Sequence, residues 1–201
     1  MIRTVAALMV AFATAMAIAQ APANPPVRIR GTIEKLDGQI LTIKGKDGQI
    51  QTAKLKDDFV VMGINRASID DIGAGKFIGT TTVGERDGAL VALEVHIFPE
   101  NMRGTGEGHY DWDLRPTSKM TNASVATITS IGKDRVLDVQ YKGGQKKVLV
   151  PENAVIVSYS PVERTVLRPG APVFVIAQRQ TDGSLSAARV NVGLNGQVPP
   201  M

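Results

Sequence analysis

The chain has 201 residues, 43% hydrophobic and 21% charged, a balance that excludes an intrinsically disordered protein. A net charge of +4, from 23 bases and 19 acids, is too thin for a nucleic-acid-binding surface, so no nucleic-acid partner is expected. The absence of cysteine excludes disulfides and a lipoprotein anchor.

The chain opens with Arg3 as a positive start. Val5 to Ile18 is then apolar except for Thr14, and Ala17-Ile18-Ala19 sets small residues where a signal peptidase reads. This pattern predicts a secretory signal peptide over residues 1–19, cleaved between Ala19 and Gln20. The run is short for a membrane span, and no other stretch reaches that length. The expected address is periplasmic or secreted, with no transmembrane segment in the mature chain. Residues 20–26 form a Pro/Ala-rich linker.

Five short strands are predicted over residues 27–98. Val27 to Lys35 is the first, turned at Asp37-Gly38. Gln39 to Lys44 alternates, with Leu41 and Ile43 on one face, and Lys46-Asp47-Gly48 turns it again. Ile50 to Leu55 is the third strand, and Phe59 to Met62 extends it. Ser68-Ile69-Asp70-Asp71 reads as a one-turn helix capped by Ser68. Phe77 to Val83 and Ala89 to Phe98 are the fourth and fifth strands, joined across Arg86-Asp87-Gly88.

The same order returns at a constant offset. Ile33 matches Ile128 (128 − 33 = 95), Gly75 matches Gly170, Asp87-Gly88 matches Asp182-Gly183, and Val95 matches Val190. The second copy spans residues 123–194, with strands at Val125 to Ile131, Val136 to Gln140, Lys147 to Val150, Val173 to Gln178 and Ser186 to Val192. It places Val162 to Leu167 where the first copy has its helical turn. Residues 195–201 are a C-terminal tail. The expected fold is therefore all-β: two tandem five-stranded OB-like small barrels joined by an irregular connector, with an SH3-like barrel as the alternative.

The opening from Gly31 to Gly38 and the closing Asp87-Gly88-x-Leu90-x-Ala92-x-x-Val95 resemble a bacterial domain-of-unknown-function family of exported proteins with tandem OB-like repeats. These are turn and core residues, so the resemblance implies a fold and no chemistry.

Unusual chemistry concentrates in the connector, residues 99–122. Glu107, His109, Asp111 and Asp113 alternate, so an extended backbone turns them to one side. Such a set, with His96 nearby and Met102 and Met120 as soft donors, suits zinc, copper or calcium. The other reading has Trp112 and Tyr110 plug a seam between barrels while the acids stay solvated or pair with Arg103, Arg115 and Lys119. Because Leu93, Val95 and Ile97 read as core, His96 is expected on the barrel exterior. A ligand face is expected at Tyr141, Lys142, Lys146 and Lys147, with Trp112 as a further candidate. No catalytic motif is found, and the expected partner is an envelope protein or glycan.

Overall fold

The structure is a computed structural model that describes residues 25–201; the predicted signal peptide and most of the linker lie outside the described residues. Twelve strands follow in chain order: β1 (Val27–Asp37), β2 (Ile40–Gly45), β3 (Ile50–Arg66), β4 (Phe77–Arg86), β5 (Ala89–Ile97), β6 (Gly108–Asp111), β7 (Lys119–Ile131), β8 (Asp134–Tyr141), β9 (Gly144–Val150), β10 (Val155–Pro161), β11 (Pro172–Arg179) and β12 (Leu185–Gly193). Among the described residues helical turns are limited to three one-turn 3-10 segments, Ile69–Asp71, Glu100–Met102 and Arg164–Val166. Among the described residues no helix is long and apolar enough to cross a membrane.

The chain is all-β, with a closed five-stranded barrel that continues into further strands. The barrel runs β12-β11-β1-β2-β3 and closes where β12 pairs with β3 in parallel. β10 then lies antiparallel on the far end of β3 and parallel to β5. Beyond it follow β4, β7, β8 and β9, and a short parallel pairing of Leu90 with Val148 and Val91 with Leu149 returns β9 to β5.

This pairing corrects the expected domain boundaries. Residues 27–98 do not close on themselves: β1, β2 and β3 take β11 and β12 from the second copy, while β4 and β5 pair with β7, β9 and β10. The physical cause is the length of β3. Its 17 residues extend for roughly 55 Å at about 3.3 Å per residue. That outruns the wall of a small barrel and delivers the chain to the other unit before β4 begins.

Residues separated by the expected offset of 95 occupy corresponding pairings. Val61 pairs with Val190 on one side, and their counterparts Ile156 and Val95 pair on the other. The second copy also carries a 3-10 turn, Arg164–Val166, at the place of Ile69–Asp71. The first turn is fixed by Ser68, whose N–H and hydroxyl both donate to the Asp71 carboxylate. In the second copy β9 and β10 are separate strands, broken at Pro151, which lacks an N–H to donate.

One sequence match shifts. Ile33 exchanges backbone bonds with Gly170 and Ala171, while Val125, not Ile128, does so with Gly75 and Lys76. The β7–β8 hairpin is longer than its counterpart, which moves the equivalence by three residues. Ile33 and Val125 are both core, whereas Ile128 is half-buried.

Three apolar clusters result. One fills the closed barrel around Ile33, Leu41, Leu55 and Val175. A second lies around Ile78, Val95, Leu137 and Val148. The third occupies the seam between them: Met62, Ile64, Met102, Trp112, Met120, Val157, Tyr159, Phe174 and Met201.

Candidate functional site

The seam is built from the outward faces of two sets of strands. Directly opposed residues point to the same side of a sheet. One row therefore carries Asn122, Gly79, His96 and Val157 across β7, β4, β5 and β10, and the next carries Met120, Thr81, Glu94 and Val155. From the barrel, Arg30, Phe174, Asn191 and Met62 face them across β1, β11, β12 and β3.

His96 is thus not exterior, as the alternation of β5 suggested, but 1% exposed. The outward face of β5 is covered by the seam cluster around Tyr159, Phe98 and Met120. Its imidazole makes edge contacts with Tyr159 and Phe98. Nε2 lies 3.1 Å from Glu94 Oε1, a close approach that does not meet full hydrogen-bond alignment. Glu94, 2% exposed, accepts a hydrogen bond from the Thr81 hydroxyl at 2.5 Å. Burial pushes its carboxyl up, but His96, Thr81 and Arg30 together outweigh that and hold it below the usual carboxylate range. Burial and the Glu94 charge drive the Tyr159 phenol far above its ordinary value, so it serves only as a neutral donor.

Trp112, proposed for an open ligand face, is instead buried. The Arg28 guanidinium stacks over its ring at 4.0 Å, and Phe174 and Tyr110 meet it edge-on. Arg30 grips Asp113 with two bonds, at 2.6 and 3.2 Å, and this pairing keeps the Asp113 carboxylate ionised despite partial burial. The plug reading of the connector therefore matches Trp112.

The remaining metal candidates are each engaged separately. Glu107 Oε1 accepts the backbone N–H of Lys142 at 2.9 Å. His109 Nδ1 meets the Thr121 hydroxyl at 2.8 Å, and burial together with Lys146 and Lys119 lowers its basicity. Asp111 is bonded to Lys119. Among the described residues no group of three or more His, Cys, Asp or Glu is placed to hold a metal ion. Nor is the connector wholly irregular, since β6 forms a hairpin with the first residues of β7.

The predicted ligand-face residues do not share a face. Tyr141 is half-buried against the second core, Lys142 sits in the turn, and Lys146 and Lys147 are consecutive on β9 and so point to opposite sides.

Sequence reasoning missed Glu94, Arg28, Arg30, Asn122 and Tyr159. The signal was present in the polar pairs Arg28/Arg30 and Glu94/His96, each two apart in a strand that also buries its other face. Six buried polar atoms of the seam lack a hydrogen-bond partner: Arg28 Nε, His96 Nε2, Trp112 Nε1, Asn122 Oδ1, Arg189 Nε and Asn191 Oδ1.

Outside the seam, two open cavities of about 770 and 670 Å³ adjoin on the closed barrel and share Lys54, Asp182 and Ser184. They lie along β3 beneath the β11–β12 turn, with Ile40 of β2 at the edge, and mix amides, hydroxyls and charges such as Gln49, Gln51, Asp57 and Gln180 with the apolar Val27, Ile40, Ala53 and Leu185. The cationic and acidic side chains along them balance: Lys54, Lys56 and Arg179 against Asp57, Asp58 and Asp182. No family model, curated protein or solved structure matches the chain.

Proposed function

We propose that this is an exported, non-catalytic binding module, assembled from two OB-like units of one duplicated sequence, whose ligand is an envelope glycan. The observation that carries this is the position of the paired cavities. In OB-like barrels the face of strands two and three, flanked by the loop between strands four and five, is the usual oligosaccharide-binding surface. In the closed barrel β2 and β3 are those strands, and the β11–β12 turn is that loop. Balanced charge disfavours a polyanion, and the amides and hydroxyls suit sugar hydroxyls. Gln51 adds a buried Oε1 with no protein partner. The close acid–base pair Glu94–His96 is sealed from solvent, which favours a binder over a catalyst.

A glycan array with the mature chain tests this. A positive signal that falls at least about tenfold in Gln51→Ala and survives in Tyr141→Ala is expected if the groove makes the contacts. A blank array, or loss in Tyr141→Ala alone, overturns the proposal.

A further inference from the structure

On β3 the seam side continues past Met62 to Val60. The two alternate with Phe59 and Val61, which belong to the barrel core, so both turn outward. Arg189 lies opposite Val60 on β12, and Asn191 opposite Met62, which sets the arginine beside the valine. With Met102 from the second 3-10 turn and Pro161 to Arg164 from the end of β10 onward, these residues wall a cavity of about 540 Å³. Sites for small organic ligands span roughly 300–1,000 Å³.

The apolar part of this cavity is adaptable. Met62 and Met102 are buried, and their unbranched thioether chains mould to whatever lies on them. Val60 is 47% exposed, so an apolar wall beside them stands open to water.

The polar part is cationic. Arg164 is already engaged: it donates to the Phe59 carbonyl at 2.7 Å and lies 3.9 Å over the Phe59 ring. Arg189 is not. Its Nε is shut off from solvent without an acceptor, and among the described residues its guanidinium enters no ion pair. The acids nearby do not serve it. Glu94 answers to His96, Thr81 and Arg30. Glu163, the acid of the lining, is exposed on the rim and pairs with neither arginine. A partly buried guanidinium without an acceptor costs stability, and an anion entering the cavity would supply one.

We infer that this cavity binds a single-chain amphiphile with a monoanionic head, of the fatty-acid carboxylate class. Arg189 takes the carboxylate, which a planar guanidinium can hold through two parallel bonds. The chain lies over Val60, Met62 and Met102. Arg164 and Arg189 against Glu163 leave a single net positive charge in the lining, which suits a head of one negative charge. The cavity shares no lining residue with the glycan groove, so either site stands or falls without the other.

Calorimetric titration of the mature chain with octanoate tests this, against octan-1-ol, which lacks the charge, and butyrate, which lacks the chain. Octanoate is expected to bind at one site, about tenfold or more tighter than either control. Arg189→Gln is expected to bring octanoate down to the level of octan-1-ol. Val60→Asp sits at an exposed position and leaves the core alone. It sets a carboxylate beside the arginine and is expected to weaken octanoate about tenfold or more. Glu163→Gln removes the opposing acid and is expected to strengthen octanoate about twofold.

Octanoate that fails to bind, or binds no better than octan-1-ol or butyrate, overturns the inference. So does an affinity that Arg189→Gln and Val60→Asp leave unchanged. If Arg189→Gln does not fold, Val60→Asp and Glu163→Gln decide alone, and an octanoate affinity equal to the parent's in both overturns the inference equally.

Discussion

Ile64 lies opposite Tyr159 across β3 and β10, at the separation of 95 that the sequence pattern sets between like positions. Beside them the Asn65 amide reaches the Ser160 hydroxyl, again a residue and its counterpart at a separation of 95. Around this crossing β1, β2 and β3 take β11 and β12, while β7, β8 and β9 pair with β4 and β5.

The exchange makes the two halves mutually dependent. Residues 25–98 contain β1 to β5 but lack β11, β12 and β7, so alone they close no monomeric barrel. The expected outcome is that neither 25–98 nor 99–201 gives a folded monomer, while the two mixed give an equimolar complex with the circular dichroism of the intact chain. Size-exclusion chromatography with light scattering checks this. A folded monomer of 25–98 would contradict the exchange.

That outcome also explains what the sequence conveyed. Strand alternation, the turn glycines at Gly38, Gly88 and Gly183, and the core positions Leu41, Val95 and Val190 depend on local pattern, and they were legible. Partner choice was not. β4 pairs equally well with β1 or β7 as far as pattern goes, because the copies resemble each other, and only the unbroken run of β3 through Lys56-Asp57-Asp58 decides. The site suffered for the same reason. Glu94 and His96 look solvent-facing on a free barrel and are buried only because the exchange brings a second sheet over them.

Glu94 gives the seam an acid-sensitive element. Its folded carboxyl titrates below the usual value of 4.5, so its stabilisation is complete above that value and is lost as pH falls through the lower folded value. Glu94→Gln keeps the shape and an acceptor for Thr81 while removing the charge beside His96. It is expected to cost about 1–3 kcal/mol at pH 7 and to flatten the loss of stability below pH 4.5. Urea unfolding at stepped pH, followed by Trp112 emission, measures both. An unchanged acid slope in the variant would remove Glu94 from this role.

Gly79 tests how tightly the seam is closed. A Cβ there would lie 2.6 Å from Asn122 Oδ1, 3.1 Å from the Phe98 ring and 3.3 Å from His96 Nδ1. Asn122 is held in place by a bond to the Thr105 carbonyl at 3.0 Å, and Phe98 by stacking on Phe77 and Tyr159, so neither yields freely. Gly79→Ala is expected to destabilise by about 1–3 kcal/mol through overpacking. Gly73→Ala, whose Cβ would meet only the Lys76 side chain at ordinary contact distance, is the control and is expected to stay within about 0.5 kcal/mol of the parent. Equal midpoints for the two in thermal denaturation would mean that the seam yields around position 79.

The connector residues allow a final discrimination. A metal held by Glu107, His109 and Asp111 would need all three to give up existing partners: the Lys142 N–H, the Thr121 hydroxyl and the Lys119 ammonium. Residues two apart on a strand also stand about 7 Å from one another, too far for one ion to draw three together without bending β6. The Glu107→Ala/His109→Ala variant is therefore expected to keep the parent's metal content, whatever that is, and to lose stability by about 1–2 kcal/mol from the broken His109–Thr121 and Glu107–Lys142 bonds. Elemental analysis of both proteins, with calorimetric titration of zinc, copper and calcium, provides the readout. Metal lost from the double variant would mean that β6 reshapes around an ion, and that the alternating face of the connector is a binding site after all.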